Sequence, residues 1–153
     1  MRPPQCALRY LTALIKPDTS VLDLGTGSGI LAIIASKLGA KSVDAVDIDS
    51  MAVKVAEENC EINSCANITC YTGELKSVKN APYDLIVANI IADVIAEIAC
   101  DIPADLADDG LFVCSGIIAN KKERVIEALR AAGMEIVAEQ SKNDWMAYIA
   151  RKA

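Results

Sequence analysis

Val21-Leu22-Asp23-Leu24-Gly25-Thr26-Gly27-Ser28-Gly29 is an apolar run that ends in three glycines separated by single residues, and a helical stretch from Ile30 to Leu38 follows at once. The run reads as a strand, and the turn after it needs residues without side chains. Glycine adopts backbone angles closed to other residues and lets a ligand approach the main chain, while the amides that open the next helix point at that ligand. Strand, glycine turn and helix in this order begin a βαβ unit of a doubly wound sheet. A dinucleotide-binding turn reads G-x-G-x-x-G, whereas here the third glycine, Gly29, arrives one residue early and Ile30 stands in its place. Asp23 adds a carboxylate at the strand end that repels a phosphate and suits an ammonium. Gly25, Thr26, Gly27, Gly29 and Asp23 together therefore point to a ligand with an ammonium and no phosphate, a description that S-adenosylmethionine meets.

Outward from this loop, short β-branched or apolar runs alternate with longer helical patterns, as βαβ units around a mostly parallel sheet require. The pattern predicts strands at Val21–Leu24, Val43–Val46, Ile68–Tyr71, Leu85–Ala88, Leu111–Ser115, Glu135–Glu139 and Ala147–Ala150. A leading helix is expected over Gln5–Ile15. Another is expected over Met51–Ile62, where Ser50 can cap the start and Ala52, Val55, Ala56 and Cys60 recur at helical spacing. Asn120 followed by Glu123 reads as the cap of a helix that carries Val125, Ile126 and Leu129 and stops at Gly133. Only Gln140–Asp144 separates the last two strands, too short for a helical crossover, so these strands form an antiparallel hairpin. A nicotinamide-type sheet is normally parallel throughout; an antiparallel last strand favours the seven-stranded class I methyltransferase version of the Rossmann-like α/β fold.

The second strand ends in Asp47, about 20 residues beyond the glycines, where doubly wound folds present a carboxylate to ribose hydroxyls. Ile48 then offers an apolar face to adenine, and Asp49 favours the N-terminus of the following helix. After the third strand, the Glu74 carboxylate can accept from the adenine amino group while Leu75 packs on the ring. After the fourth, Asn89 brings a carboxamide to the strand edge at which open α/β sheets bind ligands. Its oxygen can accept from an incoming amine and orient the lone pair, a positioning task with no proton transfer of its own. Ser115-Gly116-Ile117-Ile118 walls the same crevice. A base for the amine is not evident; without histidine, the proton goes to water, to Asp93 or Asp84, or to a carboxylate outside this set.

At 153 residues, 53% hydrophobic and 24% charged, the chain suits a single domain over residues 1–153 with an ample core. No apolar run reaches the roughly 20 residues of a membrane helix, and no signal peptide pattern opens the chain, so a cytoplasmic location is expected and no membrane partner. The six cysteines form no C-x-x-C pair and histidine is absent, so no metal site is expected and the thiols read as reduced and mostly buried. A net charge of -6 works against direct nucleic-acid binding and favours a basic partner.

Several segments together resemble one family. The runs VLDLGTGSGILAIIASKLGAKSVDAVDID (21–49), VANIIADVIAEIA (87–99), SGIIANKKERV (115–125) and DWMAYIARK (144–152) are similar, in the same order, to segments of PrmA, the bacterial methyltransferase family that modifies large-subunit ribosomal protein eleven. The resemblance implies a class I enzyme that methylates α-amino and lysine ε-amino groups from S-adenosylmethionine and releases S-adenosylhomocysteine. Asp23, Gly25, Gly27, Asp47 and Asn89 match its binding pattern, and a basic ribosomal protein is the implied substrate. The family also carries an amino-terminal domain that recognises that protein, so this chain is expected to be the catalytic domain alone. The family usually has a histidine and a Thr-Thr pair before the leading helix, where this chain has Arg2-Pro3-Pro4-Gln5. A small-molecule or other acceptor, a binding-only S-adenosylmethionine module, and an NAD-dependent oxidoreductase remain the competing readings, the last disfavoured by the glycine spacing and the final hairpin.

Overall fold

The computed structural model describes residues 5–153. Seven strands, β1 (Ser20–Leu24), β2 (Ser42–Asp47), β3 (Ile68–Thr72), β4 (Tyr83–Asn89), β5 (Leu106–Ile118), β6 (Met134–Lys142) and β7 (Trp145–Lys152), alternate with helices α1 (Gln5–Leu14), α2 (Ile30–Lys37), α3 (Ser50–Ile62), α4 (Ala92–Ile98), α5 (Ile102–Asp105) and α6 (Lys122–Ala131). The strands form one sheet in the order β3-β2-β1-β4-β5-β7-β6. Strands β1 to β5 run parallel, and β7 lies antiparallel between β5 and β6. This is the expected doubly wound fold with its antiparallel last strand. The order reverses between β1 and β4, and at such a switch point the loops leave the sheet in opposite directions and open a crevice beyond the strands' carboxyl ends. Among the described residues, no helix is long and apolar enough to cross a membrane.

Alternation along each strand divides the core in two. Leu22, Leu24, Ile86, Ala88, Phe112 and Cys114 pack with α4, α5 and α6, whereas Val21, Val43, Ala45, Leu85, Val87 and Val113 face α1 and α2. The same two-residue period places Asp23, Asp47, Asn89 and Ser115 on the α1 and α2 face of the sheet. Register refines this placement. Asp23 pairs with Ala45 and Val87, so Asp47 and Asn89 stand two residues nearer the carboxyl edge on either side of it. Four polar groups therefore line one face of the switch point, with Asp23 set one layer deeper.

Between the Cys114–Tyr148 and Ile117–Met146 pairs, Ser115 and Gly116 stand opposite the single residue Ala147. This is a β-bulge, and Gly116 takes φ +76 within it. The extra residue resets the alternation, so Ile117 returns to the same cluster as Phe112 and Cys114 while Ser115 stays on the crevice face.

Three local expectations need correction. The cap of α3 is Asp49, whose side chain accepts from the Met51 N–H, and Ser50 is already the first helical residue. Helix α6 follows a single 3-10 turn over Ala119–Lys121, so Asn120 lies inside that turn and no side chain caps the helix. Strands β5 and β6 are longer than their apolar runs. Tyr83 pairs with Leu106 ahead of the polar Asp108-Asp109-Gly110, and β6 continues through Gln140–Lys142 at the sheet edge, where Ser141 and Lys142 are exposed. Edge strands tolerate such polar residues, which hides them from a reading of hydrophobicity. The β6–β7 turn is left with two residues, Asn143 at φ +55 and Asp144, as tight hairpins favour.

Candidate active site

The glycine loop is tied to β2 by its own backbone. The Gly25 and Thr26 amides both donate to the Val46 carbonyl, at 2.8 and 2.9 Å, and Gly29 N–H donates to Thr26 O at 2.9 Å. The Asp47 carboxylate completes the attachment: Oδ2 accepts from Gly27 N–H at 2.9 Å and Oδ1 from Asp49 N–H at 3.0 Å. Two glycines are required for separate reasons. Gly25 has φ +74, and a Cβ there would lie 2.5 Å from Ile90 Cγ2; Gly29 has φ +87, and a Cβ there would lie 3.2 Å from the Ala56 Cβ of α3. Nothing lies within 4 Å of a Cβ built on Gly27, so the crevice opens above that residue. On the far side, Asn59 Nδ2 donates to Ser28 O at 2.8 Å and anchors the loop to α3. The sequence reading overlooked Asn59, because a lone polar residue on a helix gives no sign of what it faces.

Asp23 lies beneath the loop, 2% exposed. Burial pushes its carboxyl up to about 6, against the lowering effect of the Thr26 hydroxyl and the Ala32 backbone. The Thr26 Oγ1–H donates to Asp23 Oδ2 at 2.8 Å. In this arrangement Asp23 organises the loop from below, and any contact with a ligand ammonium would be made from that depth.

Ile48 is 75% exposed, an apolar side chain standing free beside Asp47. Glu74 is exposed; its backbone N–H donates to Ser77 Oγ at 2.8 Å. Leu75 is 4% exposed and belongs to the core cluster under the loop. The loop between β3 and β4 is held by a group that the sequence reading did not single out. Asp44, 4% exposed, accepts from Tyr83 Oη at 2.6 Å, Tyr71 Oη at 3.0 Å and Asn80 Nδ2 at 2.9 Å. Burial, then the hydrogen bonds with Asp44 and Tyr71, raise the Tyr83 phenol well above its ordinary range, against the lowering effect of the Asn80 backbone. An aspartate inside the buried run Val43-Asp44-Ala45-Val46 was the available signal, because a buried carboxylate requires donors.

At the acceptor side Asn89 is half-buried, and its Oδ1 accepts from Ser115 Oγ–H at 3.0 Å. Ser115 is fully buried. Neither carboxylate considered as a base is free to serve. Asp93 accepts from Lys121 Nζ at 3.0 Å and Arg124 Nη1 at 2.8 Å, and the Lys121 hydrogen bond, then both cations, hold its carboxyl below the ordinary range. Asp84 bonds the Ser20 amide and hydroxyl at the opposite end of the sheet. Arg2-Pro3-Pro4 lies outside the described residues.

The six cysteines are free; four are buried, Cys70 is intermediate and Cys100 exposed. Residues 4–153 match the family model described as ribosomal protein L11 methyltransferase (PrmA). The chain is 44% identical over 146 residues to the ribosomal protein L11 methyltransferase of Acetivibrio thermocellus, covering 95% of this chain and 46% of that relative. It is 46% identical over 145 residues to that of Desulfitobacterium hafniense, covering 94% and 46%. The chain thus spans about half the length of the curated relatives it matches. Among solved structures, a ribosomal protein L11 methylase from Lactobacillus delbrueckii subsp. bulgaricus superposes with a TM-score of 0.92 at 35% identity, covering 97% of this chain and 78% of that one.

Proposed function

Because the chain belongs to the ribosomal protein L11 methyltransferase (PrmA) family, we propose that it binds S-adenosylmethionine in the glycine-loop crevice and directs its methyl group to amino groups of a ribosomal protein. One observation carries the reading: on a single sheet face, a backbone loop locked to the Asp47 carboxylate stands across the switch point from the Asn89 carboxamide.

The residues suit this cofactor. Gly27 leaves room for close approach, the Asp47 carboxylate keeps lone pairs beyond those used by Gly27 and Asp49 for ribose hydroxyls, and Ile48 offers an apolar surface for adenine. Glu74 stands at the same edge as a candidate for the adenine amino group. When bound, the cofactor supplies a methyl group on a cationic sulfur. The chain's contribution is orientation. Asn89 Oδ1 retains a lone pair beyond the one used by Ser115, and that lone pair accepts an N–H of the amine so that nitrogen faces the methyl. With Asp93 held by two cations and Asp84 at the far edge, neither of these carboxylates takes the proton, and the amine enters neutral after losing it to water.

A basic ribosomal protein suits an acidic chain of net charge -6. The assay is transfer of labelled methyl from S-adenosylmethionine to purified ribosomal protein L11. Label on its amines, at a rate that climbs with pH toward the lysine range near about 10, is the expected result. Label on a small-molecule amine alone would replace the proposed acceptor, and labelling of lysine side chains at a rate that levels off near neutrality would reveal a base.

A further inference from the structure

We propose that Arg9 and Lys142 form a subsite for one acidic side chain of the polypeptide acceptor, about four residues from the amine to be methylated; the proposal rests on the S-adenosylmethionine reading above. The subsite lies at the outer end of the edge that carries the crevice. Strand β7 is antiparallel to β5 and β6 to β7, so β6 runs with β1 to β5. Its carboxyl end, Gln140–Lys142, therefore belongs to the same edge as Asp47 and Asn89.

Register carries the crevice toward that end. Beyond the bulge, Ile117 and its partner Met146 belong to the cluster under α4, α5 and α6, so their neighbours Ile118 and Trp145 fall on the opposite face, the one that bears Asp47 and Asn89. Ile118 pairs with Trp145 and Trp145 with Lys142, which makes a row across β5, β7 and β6. Ile118 is 41% exposed and Trp145 half-buried, an apolar floor for a chain laid across it. Where the row ends, Gln5, Cys6 and Arg9 of α1 and Gln140, Ser141 and Lys142 of β6 line a hollow of about 270 Å³. Its lining holds two cations and no carboxylate, in a chain of net charge -6. Among the described residues, neither Arg9 nor Lys142 makes an ion pair. A carboxylate accepts from both cations and relieves their repulsion. From β4 to β6 is three strand spacings, about 14 Å, the length of about four extended residues. An acidic side chain at that distance would mark one amine among the many of a basic substrate.

Trp145 is the chain's only tryptophan and lies on the proposed path, so its fluorescence reports peptide binding without requiring turnover. The probes are peptides with a single lysine and with Glu, Gln or Arg four residues before or after it, titrated into the chain saturated with S-adenosylhomocysteine. In one of the two placements the Glu peptide is expected to bind about fivefold more tightly than its Gln twin at low salt, the upper range for an exposed ion pair. Added salt should erode the difference. Arg9→Gln is expected to reduce it, and Lys142→Glu to invert it so that the Arg peptide binds best. Inversion is a result that a folding defect does not produce. Both side chains are exposed, and the variants should keep a thermal midpoint within about 2 °C of wild type. Equal binding of the Glu and Gln twins in both placements, no fluorescence response to any peptide, or a Glu preference that survives Lys142→Glu in the folded variant would overturn the proposal. If S-adenosylhomocysteine itself does not bind the wild-type chain, the cofactor reading fails and this proposal with it; if it binds and the charge preference is missing, only this proposal fails.

Discussion

The two halves of the crevice are built differently. On the β1–β2 side the site is made of backbone: three left-handed glycines, amides on the Val46 carbonyl, and one carboxylate accepting from Gly27 and Asp49. On the β4–β5 side it is made of a side-chain pair, Asn89 and Ser115, 26 residues apart in sequence and joined across adjacent strands. Backbone geometry is written locally, in the spacing of glycines; a cross-strand pair exists only once the register is set. The β1–β2 side should therefore fail through conformational strain, and the β4–β5 side through loss of orientation.

The severest test of that contrast is Gly25→Val. A β-branched residue at φ +74 is strained, and its Cβ would meet Ile90 Cγ2 at 2.5 Å, so both loops must move. S-adenosylhomocysteine affinity should fall by at least about a hundredfold, the equivalent of some 3 kcal/mol. Affinity near wild type would show that the loop is less constrained than its backbone implies. Asp47→Ala should come next. It deprives two amides of their acceptor as well as removing the proposed ribose contact, and a loss of about ten- to a hundredfold is expected by calorimetry.

Asp23→Asn sharpens the comparison through stability. Because folding raises the carboxyl from 3.8 to about 6, the folded state holds the proton more tightly. Stability from this group is therefore full below pH 3.8 and declines as pH rises to about 6, by on the order of 2–3 kcal/mol. The asparagine variant should lack that decline in denaturant titrations at pH 4 to 7, and should be at least as stable as wild type at pH 7. A steeper decline would show that the charge is compensated in a way the buried position does not reveal. The smallest effect belongs to Asp93→Asn. Its partners Lys121 and Arg124 are about half exposed, with side-chain exposures of 48% and 55%, and surface pairs contribute little. The thermal midpoint should stay within about 2 °C of wild type; a larger fall would mean that rim ions, rather than the sheet, hold the acceptor loops.

The same contrast explains what could be read in advance. The order of elements, the final hairpin, the glycine loop and the sites of Asp47 and Asn89 follow from local pattern, because strand ends in a parallel sheet converge on one edge. Helix starts were harder. Asp49 and Ser50 are both competent caps, and only the backbone angle at Asp49 decides between them. Ser115 was visible as part of the crevice wall but not as the partner of Asn89, since that requires both register and bulge. Asp44, Asn59 and the depth of Asp23 depend on packing between elements, which periodicity alone does not specify.

The central claim is that this crevice takes an adenosyl ligand without phosphates, held by the glycine loop and Asp47. The most direct measurement is calorimetric titration of the wild-type chain with S-adenosylmethionine, S-adenosylhomocysteine and NAD. Saturable binding of both adenosyl ligands and none of NAD is the predicted result; binding of NAD with no binding of the adenosyl pair would contradict it.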